Sequence, residues 1–355
     1  MSKNFIFDSL VSDEFVISTA VEKLICQYAY NKKVTLQEIS IALKMPKAYV
    51  EDTVKELTSK KAIICEDLIY TTNFIILKHD EIKYLREMLT FNINEFADYF
   101  QKILSEYDNH IKFYGTDFRM SRLGYIICPN VIREVTSNIP NVKTDYESAT
   151  IDNWGRYICR ESDDDNPMFI SGCNALNTNN GEKLQYFWLE KYFEYDTVYI
   201  GGMKKILDLN LINKAHNGII ERRFISDDEA VNLIIANMIR PTYAKDGYIL
   251  NFPCFSKKSF YDFISVFYIK NSLFRKKIRE QYCLFQTNVV TYMEKIIPKH
   301  LKSHIEGVSN YYVNRILSMF IFDVCNELIN RGVLKEPIMI DKAMSDGMCY
   351  ISNKE

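Results

Sequence analysis

Apolar positions in the first sixty residues follow three helical patterns. Residues 18–30 repeat an apolar side chain every three or four positions, which is the spacing of one face of an amphipathic helix. Thr35 caps a second, shorter helix, because Glu38 completes a T-x-x-E capping box. Pro46 suits the first position of a third helix, which we expect to end near Lys60. The side chains expected to face the core are Ala20, Val21, Leu24, Ile25 and Tyr28, then Ile39, Ala42 and Leu43, then Val50, Val54 and Leu57.

Residues 62–72 predict a β-hairpin directly after the third helix. Two short runs of apolar and β-branched residues flank the polar pair Glu66-Asp67, which we expect at the tight turn. Three helices followed at once by a hairpin are the order of a winged helix-turn-helix. We therefore assign residues 1–78 to such a domain.

The next segment, residues 79–111, predicts one long helix. Its apolar side chains recur every three or four positions from Ile82 to Tyr107. A helix of roughly 30 residues extends about 45 Å. Two interpretations stay open. The helix could link the N-terminal domain to the remainder and pair with its copy in a homodimer, or it could pack on its own C-terminal domain, because Asn92 and Asn94 interrupt its middle.

Residues 112–355 predict a C-terminal domain, which could divide near residue 251. Nine of the 12 glycines lie between residues 113 and 251, where three aromatic and β-branched runs predict an antiparallel sheet. Residues 227–239 have helical spacing, and so has nearly all of 256–331, where Gly332 would be the C-terminal cap and Pro337 the stop. Residues 348–351 could add an edge strand. The predicted fold class is therefore α+β and helix-rich.

The composition predicts a folded protein without an overall attraction for polyanions. Hydrophobic residues make up 47% and aromatic residues 14% of the 355, and the net charge is -2, so any nucleic-acid binding must be local. The nine cysteines form no C-x-x-C pair, and Cys26 and Cys325 lie in apolar patterns typical of core residues. No apolar run reaches the roughly 18 residues of a membrane span, and no signal peptide is evident. We expect a cytoplasmic protein with no membrane partner.

Motifs for catalysis or for a cofactor are weak. His300 and His304 lie four residues apart, but no third metal ligand has a suitable spacing, so solvated or stacked histidines are the preferred interpretation. Gly201-Gly202 could hold a phosphate, but a tight turn is the preferred interpretation. We therefore expect neither an enzyme nor a bound cofactor.

The outward side of the third helix is the candidate DNA-reading surface. Residues 1–78 contain ten Lys, no Arg and ten acidic residues, so this domain is neutral, whereas DNA readers are usually basic. The domain could still form a local strip that faces phosphates, with the acids turned elsewhere or accepting hydrogen bonds from cytosine amino groups. The lysines of this strip would be Lys32, Lys33, Lys44, Lys47, Lys55, Lys60 and Lys61. The alternative is a winged helix that binds protein. The residues expected to contact DNA are Thr35, Lys44, Lys47, Ala48, Tyr49, Glu51, Asp52, Lys55, Lys60 and Lys61.

Aromatic residues of the predicted sheet suggest a second candidate site. Trp154, Tyr157, Tyr186 and Trp188, with Tyr192 nearby, could line an apolar cavity for an effector. Equally, these side chains could pack the sheet on its helices.

Four segments carry a resemblance to a known family: MPKAYVEDTVKELTSKKAI, YTTNFIIL, DGYILNFPCFSKKSF and IIPKHLKSHIEGV. They resemble winged-helix regulators of low-GC Gram-positive bacteria that often occur alongside sigma-factor-like proteins. The resemblance implies a role in transcription, a C-terminal regulatory domain, and RNA polymerase or a sigma-factor-like protein as a further partner. The acidic pair Glu51-Asp52 belongs to the family pattern, which leaves open whether the domain reads bases.

Overall fold

A computed structural model gives the fold of the chain. It describes residues 5–9, 17, 19–107, 120–137, 139, 157–161, 168–177, 183–192, 219–235, 239–242, 246–250, 254–256, 265, 267–269, 272–335, 339–340 and 343–352. The chain divides into two compact units. Unit 1 comprises Met1–Thr90, Ile139–Asp164 and Glu280–Ile316, and unit 2 comprises Phe91–Asn138, Asp165–Arg279 and Leu317–Glu355. Each unit is built from separated stretches of chain, whereas the sequence pattern placed boundaries at 78, 111 and 251.

Unit 1 begins its helical part with α1 (Ala20–Tyr28), α2 (Leu36–Leu43) and α3 (Lys47–Ser59). The capping box predicted at Thr35 is confirmed, because the Glu38 amide donates to Thr35 Oγ1 at 3.3 Å and Glu38 Oε2 accepts from the Thr35 amide at 2.7 Å. Thr19 and Glu22 form a second capping box at the start of α1. Both boxes satisfy backbone amides that a helix start leaves without partners.

The buried faces of these helices agree with the sequence pattern only in part. Val50, Val54 and Leu57 of α3 are buried as predicted. On α2 only Ile39 of the expected three is buried, because the helix is short and its second turn lies at the surface. On α1 the core takes Ile25 together with Cys26, and the predicted Ala20 is exposed.

A hairpin follows α3, as predicted, and consists of β2 (Ile63–Glu66) and β3 (Ile69–Thr72). Val34 pairs with Tyr70 of β3 through two backbone hydrogen bonds of 2.7 and 3.1 Å, which adds a third extended segment beside the hairpin. The turn residues are Asp67 and Leu68, both with positive φ, one position later than expected. Glu66 instead closes the ladder opposite Ile69.

A small sheet of three strands also belongs to unit 1. It has the order β1 (Phe5–Ser9), β5 (Tyr157–Glu161) and β4 (Ile75–Leu77); β1 pairs antiparallel with β5, and β4 pairs parallel with it. The unit is completed by α4 (His79–Glu87) and by segments from much later in the chain.

The prediction of one helix over residues 79–111 is wrong. The chain forms α4 and, after a break, α5 (Ile93–Tyr107). The break occurs because the Asn92 side chain accepts from the backbone amides of Asn94 and Glu95 and so caps a new helix. Packing within the same chain is confirmed for α5.

Among the described residues, the helices of unit 2 are α5, α6 (Met120–Ser137), α7 (Asp227–Ile235) and parts of two long helices. These are α8 (Ser272–Ile296) and α9 (Ile305–Asn330), and both contribute to each unit. The ring of Phe96 on α5 lies 5.1 Å from that of Phe320 on α9 and 5.3 Å from that of Phe274 on α8. Gly332 has φ 70° after the end of α9, which confirms the predicted cap.

One helix was not predicted. The pattern of residues 113–251 indicated strands, but α6 occupies 18 residues there, with Pro129 inside it. Its buried positions include Ile127, Val131 and Val135, which have the four-residue spacing of a helix. Cys128 and Cys325 are buried in unit 2 and Cys26 in unit 1, so the prediction of core cysteines is confirmed for Cys26 and Cys325.

Two further sheets lie in unit 2. One has the order β8 (Ile219–Glu221), β10 (Gly247–Leu250) and β9 (Ile239–Thr242). The other has the order β11 (Cys254–Ser256), β13 (Ala343–Ser352), β7 (Lys183–Tyr192) and β6 (Met168–Asn177), and β12 (Met339–Ile340) pairs with β13. The expected edge strand near the C-terminus is thus longer than predicted and lies inside its sheet, because β7 and β11 pair with its two sides.

The chain is therefore helix-rich with small, mostly antiparallel sheets, as an α+β fold requires. Among the described residues, no helix combines the length and the apolar character needed to cross a bilayer.

Candidate functional site

The surface formed by α2, the following turn and the start of α3 holds most of the predicted DNA contacts. Lys44 adopts a left-handed conformation with φ 54° and ends α2, and Ser40 Oγ donates to the Met45 carbonyl at 2.6 Å. Pro46 then precedes α3, which begins at Lys47. This arrangement leaves the first turn of α3 open to solvent. Its exposed side chains are Lys47, Ala48 and Tyr49.

Two lysines from the predicted set are held by carboxylates instead. Lys55 Nζ lies 2.9 Å from Glu51 Oε1 one turn earlier on α3. The hydrogen bond from Lys55 lowers the pKa of Glu51, and the same bond raises the pKa of Lys55. Lys60 Nζ lies 2.5 Å from Glu56 Oε1 and 3.1 Å from Glu22 Oε1. The lysine strip is therefore partly neutralised within the protein.

Glu22 connects α1 to α3 from a buried position. Its side chain is 3% exposed and accepts from the amide and hydroxyl of Thr19 as well as from Lys60. Burial disfavours the ionised form, but the hydrogen bonds from Thr19 and Lys60 outweigh it, so the pKa of Glu22 is lowered. Lys60 consequently fixes the end of α3 on α1, a role that its sequence position did not reveal.

Of the remaining residues predicted to contact DNA, some form hydrogen bonds within the domain and others are exposed to solvent. Thr35 caps α2, and its hydroxyl donates to Glu38. Lys61 has φ 58°, and its carbonyl accepts from Asn73 at 3.1 Å. Asp52 is exposed on α3. The candidate contact surface thus consists of Lys44, Lys47, Ala48, Tyr49 and Asp52, beside the Glu51–Lys55 pair.

Apolar side chains interrupt this contact surface. Ile41 on α2 is 69% exposed, and Tyr49 on α3 is 53% exposed.

No family model, curated protein or solved structure matches this chain. Its function is therefore inferred from the side chains themselves.

A cleft that the sequence did not predict lies on the outward face of the hairpin. Ile64 and Thr71 are opposite each other in the ladder and point away from the core, whereas the neighbouring pair Ile63 and Thr72 is buried. The cleft has a volume of about 310 Å³. It is lined by Asn31, Lys32, Lys33, Ile64, Glu66, Thr71, Pro298, Lys299 and His300.

A 3₁₀-helix, Lys299–His304, closes one side of this cleft. His300 Nε2 lies 2.9 Å from the Thr72 carbonyl, 228 residues earlier in the chain. A carbonyl only accepts hydrogen bonds, so Nε2 is the donor in this contact. The adjacent pair Lys32-Lys33 was a signal in the sequence, but the opposite wall depends on a contact too distant to predict.

The aromatic site predicted in the C-terminal region is not formed by one sheet. Tyr157 lies on β5 in unit 1, whereas Tyr186, Trp188 and Tyr192 lie on β7 in unit 2. The strand with Tyr157 pairs with β1 and β4, which come from the N-terminal region and not from the strands that follow it in the sequence. Trp154, Gly201-Gly202 and Pro337 lie outside the described residues.

A metal site at the two histidines finds no support in the described part of the chain, where no group of three His, Cys, Asp or Glu side chains is arranged to hold an ion.

Proposed function

We propose that residues 17–77 form a winged helix-turn-helix and that the protein regulates transcription by binding DNA through α3. The observation that carries this proposal is the order of α1, Val34, α2, α3 and the β2–β3 hairpin, with Val34 hydrogen-bonded to β3. In such a domain the third helix enters the major groove, and the tip of the hairpin, at Asp67 and Leu68, would lie near the backbone. Here the first turn of α3 is exposed.

The contacts would be few and local. Lys44 and Lys47 would bind phosphates, and Tyr49 would lie against the bases or the sugar edge. Asp52 can accept a hydrogen bond from a cytosine amino group, which would make it a specificity contact. Because Lys55 and Lys60 are held by carboxylates, we expect a shallow dependence of affinity on salt.

Unit 2 would supply regulation. Its helices and sheets would sense a signal or form a homodimer, and RNA polymerase or a sigma-factor-like protein would be a further partner.

Two lysines on the same helix provide the test. The full chain selects its sites from fragmented genomic DNA, and binding of the Lys47→Ala and Lys55→Ala variants is then measured at several salt concentrations. K47A should weaken binding about fivefold and lower the salt slope by about one, as expected for one lost phosphate contact. K55A should change both much less, because its ammonium group is already paired. Failure to enrich any site, or equal effects of the two variants, would contradict the proposal.

Exposed apolar groups favour a second candidate, a winged helix that binds a protein of the transcription machinery. Ile41 and Tyr49 are both more than half exposed beside a face of paired charges. Apolar and aromatic anchors are typical of protein interfaces. Ile41→Glu should then abolish co-purification of polymerase subunits with the full chain, while DNA binding is unchanged. A loss of DNA binding alone would favour the first candidate.

A further inference from the structure

The cleft between the hairpin and the 3₁₀-helix concentrates positive charge that the proposed DNA contacts do not use. Its walls carry Lys32, Lys33 and Lys299 against a single carboxylate, Glu66. These groups come from three separate parts of the chain: the loop after α1, the hairpin and the segment after α8. The fold therefore brings together cations that the sequence keeps apart.

The lysines of the cleft are less closely paired with carboxylates than those of α3. Lys33 Nζ is 3.7 Å from Glu66 Oε2, with both side chains about 70% exposed, so this pair is weak. Lys32 lies over the ring of Tyr28 at 3.8 Å, a contact that leaves its ammonium donors open on the other side. Lys299 has no ion-pair partner among the described residues. An anion entering the cleft would thus meet charges that are not already neutralised.

Polar and apolar groups of the cleft define the kind of anion. Asn31 and Thr71 add neutral hydrogen-bond donors, and His300 is oriented by the Thr72 carbonyl. Several ammonium and neutral donors around one space suit the terminal oxygens of a phosphate better than the two oxygens of a carboxylate. Ile64 and Pro298 give an apolar wall that an organic group could contact. The volume of about 310 Å³ lies at the lower end of the range for small-molecule sites.

We propose that this cleft binds the phosphate group of a small phosphorylated molecule, at a site separate from the DNA-contacting turn of α3. The separation follows from strand geometry, because Ile64, Glu66 and Thr71 share the hairpin face that points away from the helices. Lys33, from the loop after α1, and Lys299, from the 3₁₀-helix, both bind phosphate oxygens. Glu66 repels the ligand and limits its affinity.

The test is calorimetric titration of the full chain with inorganic pyrophosphate at constant ionic strength. Lys33→Ala and Lys299→Ala should each weaken binding about fivefold, as expected for one lost charge-assisted contact. Glu66→Gln should strengthen binding about twofold, because it removes the opposing charge. Lys55→Ala is the matched control and should have no effect. All four side chains are at the surface, so the variants should keep the wild-type fold and melting temperature.

Two further titrations test whether the cleft prefers phosphate to carboxylate groups and a small molecule to DNA. Citrate at the same ionic strength should bind at least tenfold more weakly than pyrophosphate. A duplex of about 20 base pairs should not displace pyrophosphate. Equal binding of citrate, displacement by the duplex, or pyrophosphate affinity that is the same in K33A, K299A and wild type would each overturn the proposal. Failure of DNA binding at α3 would leave these outcomes unchanged.

Discussion

Two surfaces of unit 1 use the same residue type in different ways. On α3, Lys55 and Lys60 form ion pairs with carboxylates at 3.1 Å or less. Around the cleft, the carboxylate that pairs with Lys33 is 3.7 Å away, and Lys299 forms no ion pair with a carboxylate among the described residues. The number of lysines in the sequence therefore does not measure the positive charge that a ligand meets.

Local geometry explains this difference. A helix places side chains four residues apart on one face, so Glu51 meets Lys55 and Glu56 meets Lys60 without any long-range packing. The cleft is assembled from a loop, a hairpin and a 3₁₀-helix, where no such periodic neighbour exists. Pairing along α3 is visible in the sequence, whereas the concentration of cations in the cleft is not.

Breaking the ion pair between Glu22 and Lys60 should have the largest effect on stability. Glu22→Ala removes the buried one of the two carboxylates that pair with Lys60, together with the capping box of α1, and we expect it to lower the free energy of unfolding by about 2–4 kcal/mol. The lower end applies if Lys60, which is 29% exposed, turns toward water. Urea denaturation of the full chain measures the change. Glu56→Ala is the control, because Glu56 is exposed, and a similar loss there would contradict the role of burial.

The same pair predicts a pH dependence. The pKa of Glu22 is lowered in the folded state, so the stabilisation is complete above the ordinary pKa of glutamate and is lost as the pH falls through the lowered value. Glu22→Gln cannot ionise. The difference in unfolding free energy between the wild type and this variant should therefore shrink on acidification below the usual glutamate range. A constant difference would mean that the charge of Glu22 contributes nothing.

A smaller effect is expected from freeing a lysine on α3. Glu51→Gln removes the carboxylate that holds Lys55, which should make this lysine resemble those of the cleft. If α3 binds DNA, affinity at low salt should rise about threefold, and the salt slope should increase by up to about one. Fluorescence anisotropy at several salt concentrations measures both. Pyrophosphate binding is the control and should be unaffected, and an unchanged DNA salt slope would show that Lys55 faces no phosphate.

Features decided by nearby residues could be predicted from the sequence. Thr35 and Glu38 are three residues apart and form the expected capping box, and Val50, Val54 and Leu57 form the expected stripe. The break before α5 could also have been predicted, since Asn92 is a good capping residue. Here the periodic pattern on both sides hid a local stop signal.

Features decided by distant residues could not be predicted. Tyr157 joins a sheet with strands from residues 5–9 and 75–77, and His300 meets Thr72 across 228 residues. No local pattern specifies either partner. The proposed DNA surface was therefore accessible from the sequence, whereas the cleft required the fold.

The turn of the hairpin offers the smallest expected effect. Asp67 and Leu68 have φ of 52° and 61°, the conformation of a type I′ turn, which favours Asn or Asp followed by Gly. Leu68 pays the steric cost of a Cβ atom there, and its side chain is 75% exposed, so it gains little packing in return. Leu68→Gly should raise the free energy of unfolding by about 0.5 kcal/mol, since the larger conformational entropy of glycine in the unfolded chain offsets part of the relief.

Leu68→Ala separates backbone strain from the loss of the side chain. Alanine keeps the Cβ atom, so it should give no stabilisation in the same denaturation experiment, and an equal gain in both variants would contradict strain as the cause. Leu68 is also the more exposed of the two large apolar residues at the surface of the hairpin, since Ile64 is 39% exposed. If the hairpin binds DNA or protein through Leu68, both variants should weaken that binding alike, while pyrophosphate binding in the cleft stays the same. The two roles of Leu68 would then be distinguished, because backbone strain changes the unfolding free energy of the glycine variant alone, whereas loss of a contact weakens partner binding in both variants.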